Sequence, residues 1–289
     1  MITKMIDWAL YAFAGLGLRP LQGLRVIPVL HVERLDDDGS FQNVMRFAKD
    51  YLDRTQKKAV MTVITPEAPL LKRQLANSGF SAEKYEERIR HLASISDVGL
   101  HGHFTRLGEP NAPVHNYWSE SSLVAEQLAR EIAWLEERGL MRHRAYSAGW
   151  WYLDQSVIES LQKLGFSFDF SCSSTQYGHS PVASRLNVRP GSVPFAFYGE
   201  EGTVAYVPAL SGFCGSVARS FVPRRALSYW GLGRVAFTAG VYSHDWDLRP
   251  EEALRTIDDL VIHGVGFVGL DELIVERATL INRRNVSAG

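Results

Sequence analysis

His101-Gly102-His103 closes a short apolar run that starts at Asp97-Val98-Gly99-Leu100. On an extended backbone, residues i and i+2 project from the same side, and the glycine between them permits a turn or a close approach. Two convergent imidazoles can supply two nitrogen ligands to a zinc-like ion. Such a pair needs an acidic ligand and a group that moves protons. Candidates are His31, Glu33 and Asp36-Asp37-Asp38 after one apolar run, and Ser243-His244-Asp245-Trp246-Asp247 after another. Together these residues suit metal-assisted hydrolysis. The plainer reading makes the aspartates a solvated turn that caps the next helix, and the histidines a hydrogen-bonded pair. His31, His91, His115, His143, His179 and His263 show no catalytic pattern of their own.

The elements that must position these residues alternate between two periodicities. Arg25 to Val32, Ala59 to Ile64, Val98 to His101, Ala145 to Ala148, Phe166 to Phe170, Thr203 to Val207, Val235 to Tyr242 and Gly266 to Leu270 read as strands. Helical spacing separates them: from Val44 to Leu52, from Pro66 to about Leu92, from Val124 to Leu135, from Leu153 to Leu164, and from Pro250 onward, with a terminal helix after Leu270. Strand–helix alternation implies a parallel sheet, whose function gathers at the carboxyl ends of its strands. Residues 176–221 are less regular and read as an excursion from this rhythm.

Composition bounds the remainder. The chain has 289 residues, 46% hydrophobic and 22% charged, which fits an α/β barrel built as one globular unit. A net charge of -1 gives no electrostatic reason to expect nucleic acid. Cys172 and Cys214 lack zinc-ribbon or redox spacing and fit a reducing compartment. The apolar stretch from Met5 to Leu18 is interrupted by Asp7, lacks a small-x-small cleavage site, and is closed by Arg19-Pro20. It is too short to span a bilayer and reads as a helix packed on the domain, so the expected location is cytoplasmic with no stable membrane insertion.

In order and spacing the motifs resemble the polysaccharide deacetylases of the NodB homology type. Asp37-Asp38-Gly39 is similar to that family's Asp-Asp-Gly, Lys58 to Val63 to its next strand, and Asp97-Val98-Gly99-Leu100-His101 to its Glu-Ile-Gly-Asn-His. Ala148-Gly149-Trp150 through Ser171 resembles the segment after its arginine motif. Tyr242 to Trp246 resembles its late strand ending in histidine, and Gly266 to Leu273 its closing motif. The resemblance runs from about Arg25 to the end. It implies a distorted (β/α) barrel as a single domain over residues 25–289, with residues 1–24 as an N-terminal helical extension.

The resemblance also implies roles. Asp38, His101 and His103 would bind a divalent ion, most simply zinc, with cobalt or nickel as alternatives, and Glu33 is the other acidic candidate. Asp37 would be the general base and His244 would protonate the departing amine, while Trp150, Trp151 and Trp246 would line the substrate slot. The substrate would be an N-acetylated amino sugar of a bacterial surface polysaccharide or its precursor. Two departures stand out: Thr105 occupies the position of the family's second metal histidine, so His103 must replace it, and Ser147 stands where the motif arginine is expected. A degenerate deacetylase fold that binds a glycan or a partner is one alternative. An amidohydrolase-type metal hydrolase is another, although its His-x-His would follow the first barrel strand. Oligomeric state has no signature in the sequence.

Overall fold

Strand β1 (Leu24–Val32) is the hub of the molecule. Eight of its nine residues are buried, as expected where both faces of a parallel sheet are covered. On one side it pairs in parallel with β9 (Phe237–His244) along nearly its whole length, which sets His31 opposite His244. On the other side its start pairs with β10 (Gly266–Phe267) and its end with β2 (Val60–Val63). Pro28, which has no N–H to give to a ladder, falls between the two pairings, after Val26 and before Val29. The computed structural model describes residues 23–104, 121–149, 153, 155–171, 196–197, 204–207, 209–212, 214 and 237–287.

Beyond β2 the sheet continues through β3 (Asp97–Gly102), β4 (Ala145–Ala148), β5 (Phe168–Asp169), β7 (Ala205–Tyr206) and β6 (Ala196–Phe197); beyond β9 lies β8 (Ala209–Gly212). Every pairing is parallel except β6 with β7. The sheet curls into an incomplete barrel whose end strands, β6 and β8, do not pair. The distorted barrel is therefore present, and the alternation of periods that implied it is physical: β1 to β4 are buried strands of four to nine residues, and a helix follows each in the chain. Only short strands are described within residues 176–221.

The helices are α1 (Asp38–Thr55), α2 (Pro69–Ser78), α3 (Ala82–Ile95), α4 (Ser121–Glu137), α5 (Gln155–Lys163), α6 (Pro250–Ile262) and α7 (Leu270–Ser287). The stretch read as one helical region up to Leu92 is two helices. Gly79 adopts a left-handed φ of 67° that ends α2, and the Ser81 hydroxyl accepts from the Lys84 N–H to start α3. The proposed N-terminal helix, Thr105, Trp150 and Trp151 lie outside the described residues.

Candidate metal centre

The carboxyl ends of β1, β3 and β9 bring one carboxylate and four imidazoles together. Glu33 is the first residue beyond β1, and its carboxylate faces three ring nitrogens. His101 Nε2 lies 3.1 Å from Glu33 Oε1, His103 Nε2 lies 3.4 Å from it and His244 Nε2 4.0 Å. The donor atoms of Glu33, His101 and His103 all fall within 4.8 Å of one another. His31 forms a floor: its ring stacks on His101 at 4.5 Å and meets His244 edge-on at 5.1 Å.

Glu33, His101 and His103 are each held from behind. Asp245, buried just after β9, accepts hydrogen bonds from the N–H groups of Glu33 (2.9 Å), Arg34 (2.6 Å) and Trp246 (2.9 Å). The end of β1 is thereby tied to the end of β9. The His103 carbonyl accepts from Gln127 Nε2 at 2.7 Å, and the same nitrogen donates to buried Glu131 at 2.7 Å. Glu131 in turn accepts from the Thr65 hydroxyl at 3.0 Å. The His103 ring lies directly on Gly149, where an added Cβ would stand 2.4 Å from Cε1 and 2.5 Å from Nε2. His101 Nδ1 meets both the hydroxyl and the carbonyl of Ser147, at 2.8 and 3.1 Å.

The electrostatics favour neutral imidazoles around an ionised carboxylate. Burial lowers the His101 pKa to about 4. Burial also lowers His31 well below its usual value, reinforced by His101 and His244, and it lowers His244. For Glu33 burial acts upward, but the facing imidazoles of His101 and His103 overcome it and hold the carboxyl well below the ordinary range. Asp245 and Glu131 are pushed the other way, each to about 7, by burial.

These residues fit a divalent cation. Both ring nitrogens of His103 are buried without a hydrogen-bond partner, a costly state unless something else satisfies them. A four-coordinate ion with N and O ligands at ~2.0 Å spaces those ligands roughly 3.3 Å apart, which brackets well with the 3.1 and 3.4 Å separations around Glu33 Oε1. Two imidazoles and one carboxylate are a donor set that suits zinc and leaves a coordination position open.

The residues expected from sequence divide sharply. His101, His103 and His244 converge, and Trp246, a residue 54% exposed, stacks on His244 at 4.9 Å. Asp37 and Asp38 do not join them. The Asp37 carboxylate accepts from the Ser40 N–H at 2.7 Å and caps α1, which lowers its pKa. Exposed Asp38 pairs with Arg88. The acidic member of the group is Glu33, since β1 ends at Val32 and the three aspartates lie in the turn and helix beyond. Thr62, Gln127 and Glu131 escaped the sequence reading of the site, whereas His31, Ser147 and Asp245 were named there without these tasks. His31-Val32-Glu33 repeats the i, i+2 spacing of His101-Gly102-His103.

A curled parallel sheet with a carboxylate–imidazole group at its strand ends defines a class, the polysaccharide deacetylase fold. Among solved structures, a Mycobacterium smegmatis protein assigned as a polysaccharide deacetylase superposes with a TM-score of 0.56 at 15% identity, covering 89% of this chain and 91% of that one. An uncharacterized protein from Agrobacterium tumefaciens C58 gives 0.50 at 14% identity, covering 89% and 96%. A CE4 family pseudoenzyme from Bacillus anthracis gives 0.46 at 11% identity, covering 88% and 66%. No family model matches the sequence, and no curated protein matches it. Similarity at this level concerns the fold; the chemistry has to be argued from the site.

Proposed function

We propose that this protein is a metal-dependent hydrolase that removes an acetyl group from an N-acetylated amino sugar. The observation that carries the proposal is the Glu33–His101–His103 group, with both ring nitrogens of His103 buried outside any hydrogen bond and Nε2 3.4 Å from Glu33 Oε1. A divalent ion held there would lower the pKa of its water toward ~7 and polarise the amide carbonyl. His244 is kept neutral by burial and so can take the proton of the attacking water. As the new C–O bond forms and the C–N bond breaks, the same imidazole returns that proton to the nitrogen, releasing acetate and a free amine. Asp37, expected to be the base, is committed to capping α1, so His244 serves both transfers in this scheme. Trp246 offers an exposed aromatic face beside His244 for the apolar face of a sugar.

Zinc as the metal, a surface-polysaccharide precursor as the substrate and a cytoplasmic location are the finer parts of this proposal. Among the described residues no helix is long and apolar enough to cross a membrane. The test is acetate release from a panel of N-acetylated sugars by zinc-loaded protein. Turnover is expected in the wild type and in Asp37→Asn, and its loss in His101→Ala and His244→Gln. Loss in Asp37→Asn alone would restore Asp37 as the base. The second reading, glycan binding without turnover, draws on Asp37 and Asp38 being engaged away from the imidazoles, by the Ser40 N–H and by Arg88. It predicts sugar binding that His101→Ala leaves unchanged, with no acetate released by any protein in the set.

A further inference from the structure

We infer that Thr62 and Ser147 are positioning residues that set His101 as its Nδ1–H tautomer and reserve the Nε2 lone pair for a cation beside Glu33. The link to a cation rests on the metal-site reading above, whereas the tautomer follows from hydrogen-bond direction alone.

The direction is fixed at its far end. The Leu30 carbonyl can only accept, so Thr62 Oγ1, at 3.1 Å, gives it its single proton. Thr62 Oγ1 and Ser147 Oγ are 2.7 Å apart and need one proton between them. The Thr62 proton is already used, so Ser147 supplies it. Ser147 Oγ then has nothing to donate to His101 Nδ1 at 2.8 Å and must accept from it. The Ser147 carbonyl, 3.1 Å from the same nitrogen, is a longer, secondary acceptor for that proton, so the hydroxyl decides the tautomer.

A neutral imidazole carries one ring proton, so Nε2 is left as an acceptor. It faces Glu33 Oε1 at 3.1 Å; in the neutral ring that sets lone pair against lone pair, which a cation, whether a proton shared with Glu33 or a metal ion, relieves. Leu30, Thr62, His101 and Ser147 are all fully buried, which keeps water from substituting for any link. The three side chains come from adjacent strands, β2, β3 and β4, and β3–β4 pairing sets Ser147 directly opposite His101. Ser147 thus has a definite task at the position where the deacetylase pattern expects arginine. Hydrogen bonding to the non-ligating nitrogen is the general way a protein chooses which imidazole nitrogen meets a metal.

The experiment compares wild type, Thr62→Val and Thr62→Ser. Valine matches the shape of threonine and breaks the relay, whereas serine keeps the hydroxyl. Long-range 1H–15N NMR of metal-free protein reads the His101 tautomer, and competition with a chelator reads zinc affinity. The expected result is Nδ1–H in wild type and Thr62→Ser. In Thr62→Val the released Ser147 proton should turn to Nδ1, giving Nε2–H and zinc binding weaker by about 10- to 100-fold. Thr62→Ala repeats the test should the valine variant not fold. Nε2–H in the wild type, or wild-type tautomer and affinity in folded Thr62→Val, would overturn the inference. A wild-type protein with Nδ1–H that binds no zinc would support the relay and count against the metal-site reading alone.

Discussion

This molecule pairs imidazole with carboxylate at both ends of its sheet, and the two pairs differ in almost everything except chemistry. At the carboxyl ends of the strands, His101 Nε2 lies 3.1 Å from Glu33; near the amino end of β4, His143 Nε2 lies 2.8 Å from Asp271. The shorter contact belongs to the surface pair. Its Asp271 side chain is 60% exposed and also meets Arg142 at 3.1 Å, so water and the guanidinium already satisfy it. The buried pair has a 23% exposed carboxylate, a fully buried imidazole, and a neighbouring histidine whose ring nitrogens make no hydrogen bond. Distance alone does not mark which pair could hold a metal ion. Burial, convergence of further nitrogens and unsatisfied valence set the Glu33 group apart.

The largest expected break in this comparison is His101→Ala set against His143→Ala. The first should remove tight zinc binding, while the second should leave it intact and change stability by about 1 kcal/mol or less. Calorimetric zinc titration and thermal melts measure both, and equal loss of zinc in the two variants would erase the distinction. Next is Gly149→Ala. Its Cβ would fall within 2.6 Å of three His103 ring atoms, so His103 must move, and zinc affinity is expected to drop about 10- to 100-fold, the range for losing the support of a ligand. Unchanged affinity would mean that His103 is not a ligand.

A smaller effect lies in pH. The folded-state pKa of His101 is about 4, below its ordinary 6.5. The unfolded chain therefore takes up protons first as pH falls. The stability gained by keeping this imidazole neutral is present above about 6.5 and is lost between there and about 4. His31 and His244 act in the same sense. The surface pair behaves differently: His143 and Arg142 lower the Asp271 pKa from 3.8, so its small contribution fades only in stronger acid. Asp245 and Glu131, raised to about 7 by burial, oppose the histidines in the same window. The check is therefore the difference in Tm change from pH 7.5 to 5.5 between metal-free wild type and His101→Phe. Wild type should lose more, and parallel curves would count against buried neutral imidazoles.

Most of the fold was legible because burial writes itself into periodicity. Ala145–Ala148 was read to the residue and β1 to within one. The break at Gly79 was lost because the helical spacing on either side of it runs on without a visible change. At the site, His101 and His103 were readable because an i, i+2 pair on a strand is a local signal. Asp38 was preferred as the acidic partner, with Glu33 as the other candidate, because three consecutive aspartates outweighed one glutamate in the sequence. What separates them is where β1 ends and what Asp245 grips, and Asp245 lies more than two hundred residues from Glu33. The Thr62–Ser147 contact spans 85 residues and two strand pairings, and no spacing rule reaches that far.

The central claim is that Glu33, and not the aspartate run, completes the metal centre. Equilibrium dialysis against zinc followed by elemental analysis, on wild type, Glu33→Ala and Asp38→Ala, tests it most directly. About one ion per chain is expected in the wild type and in Asp38→Ala, and none in Glu33→Ala. Zinc retained by Glu33→Ala and lost from Asp38→Ala would contradict the account.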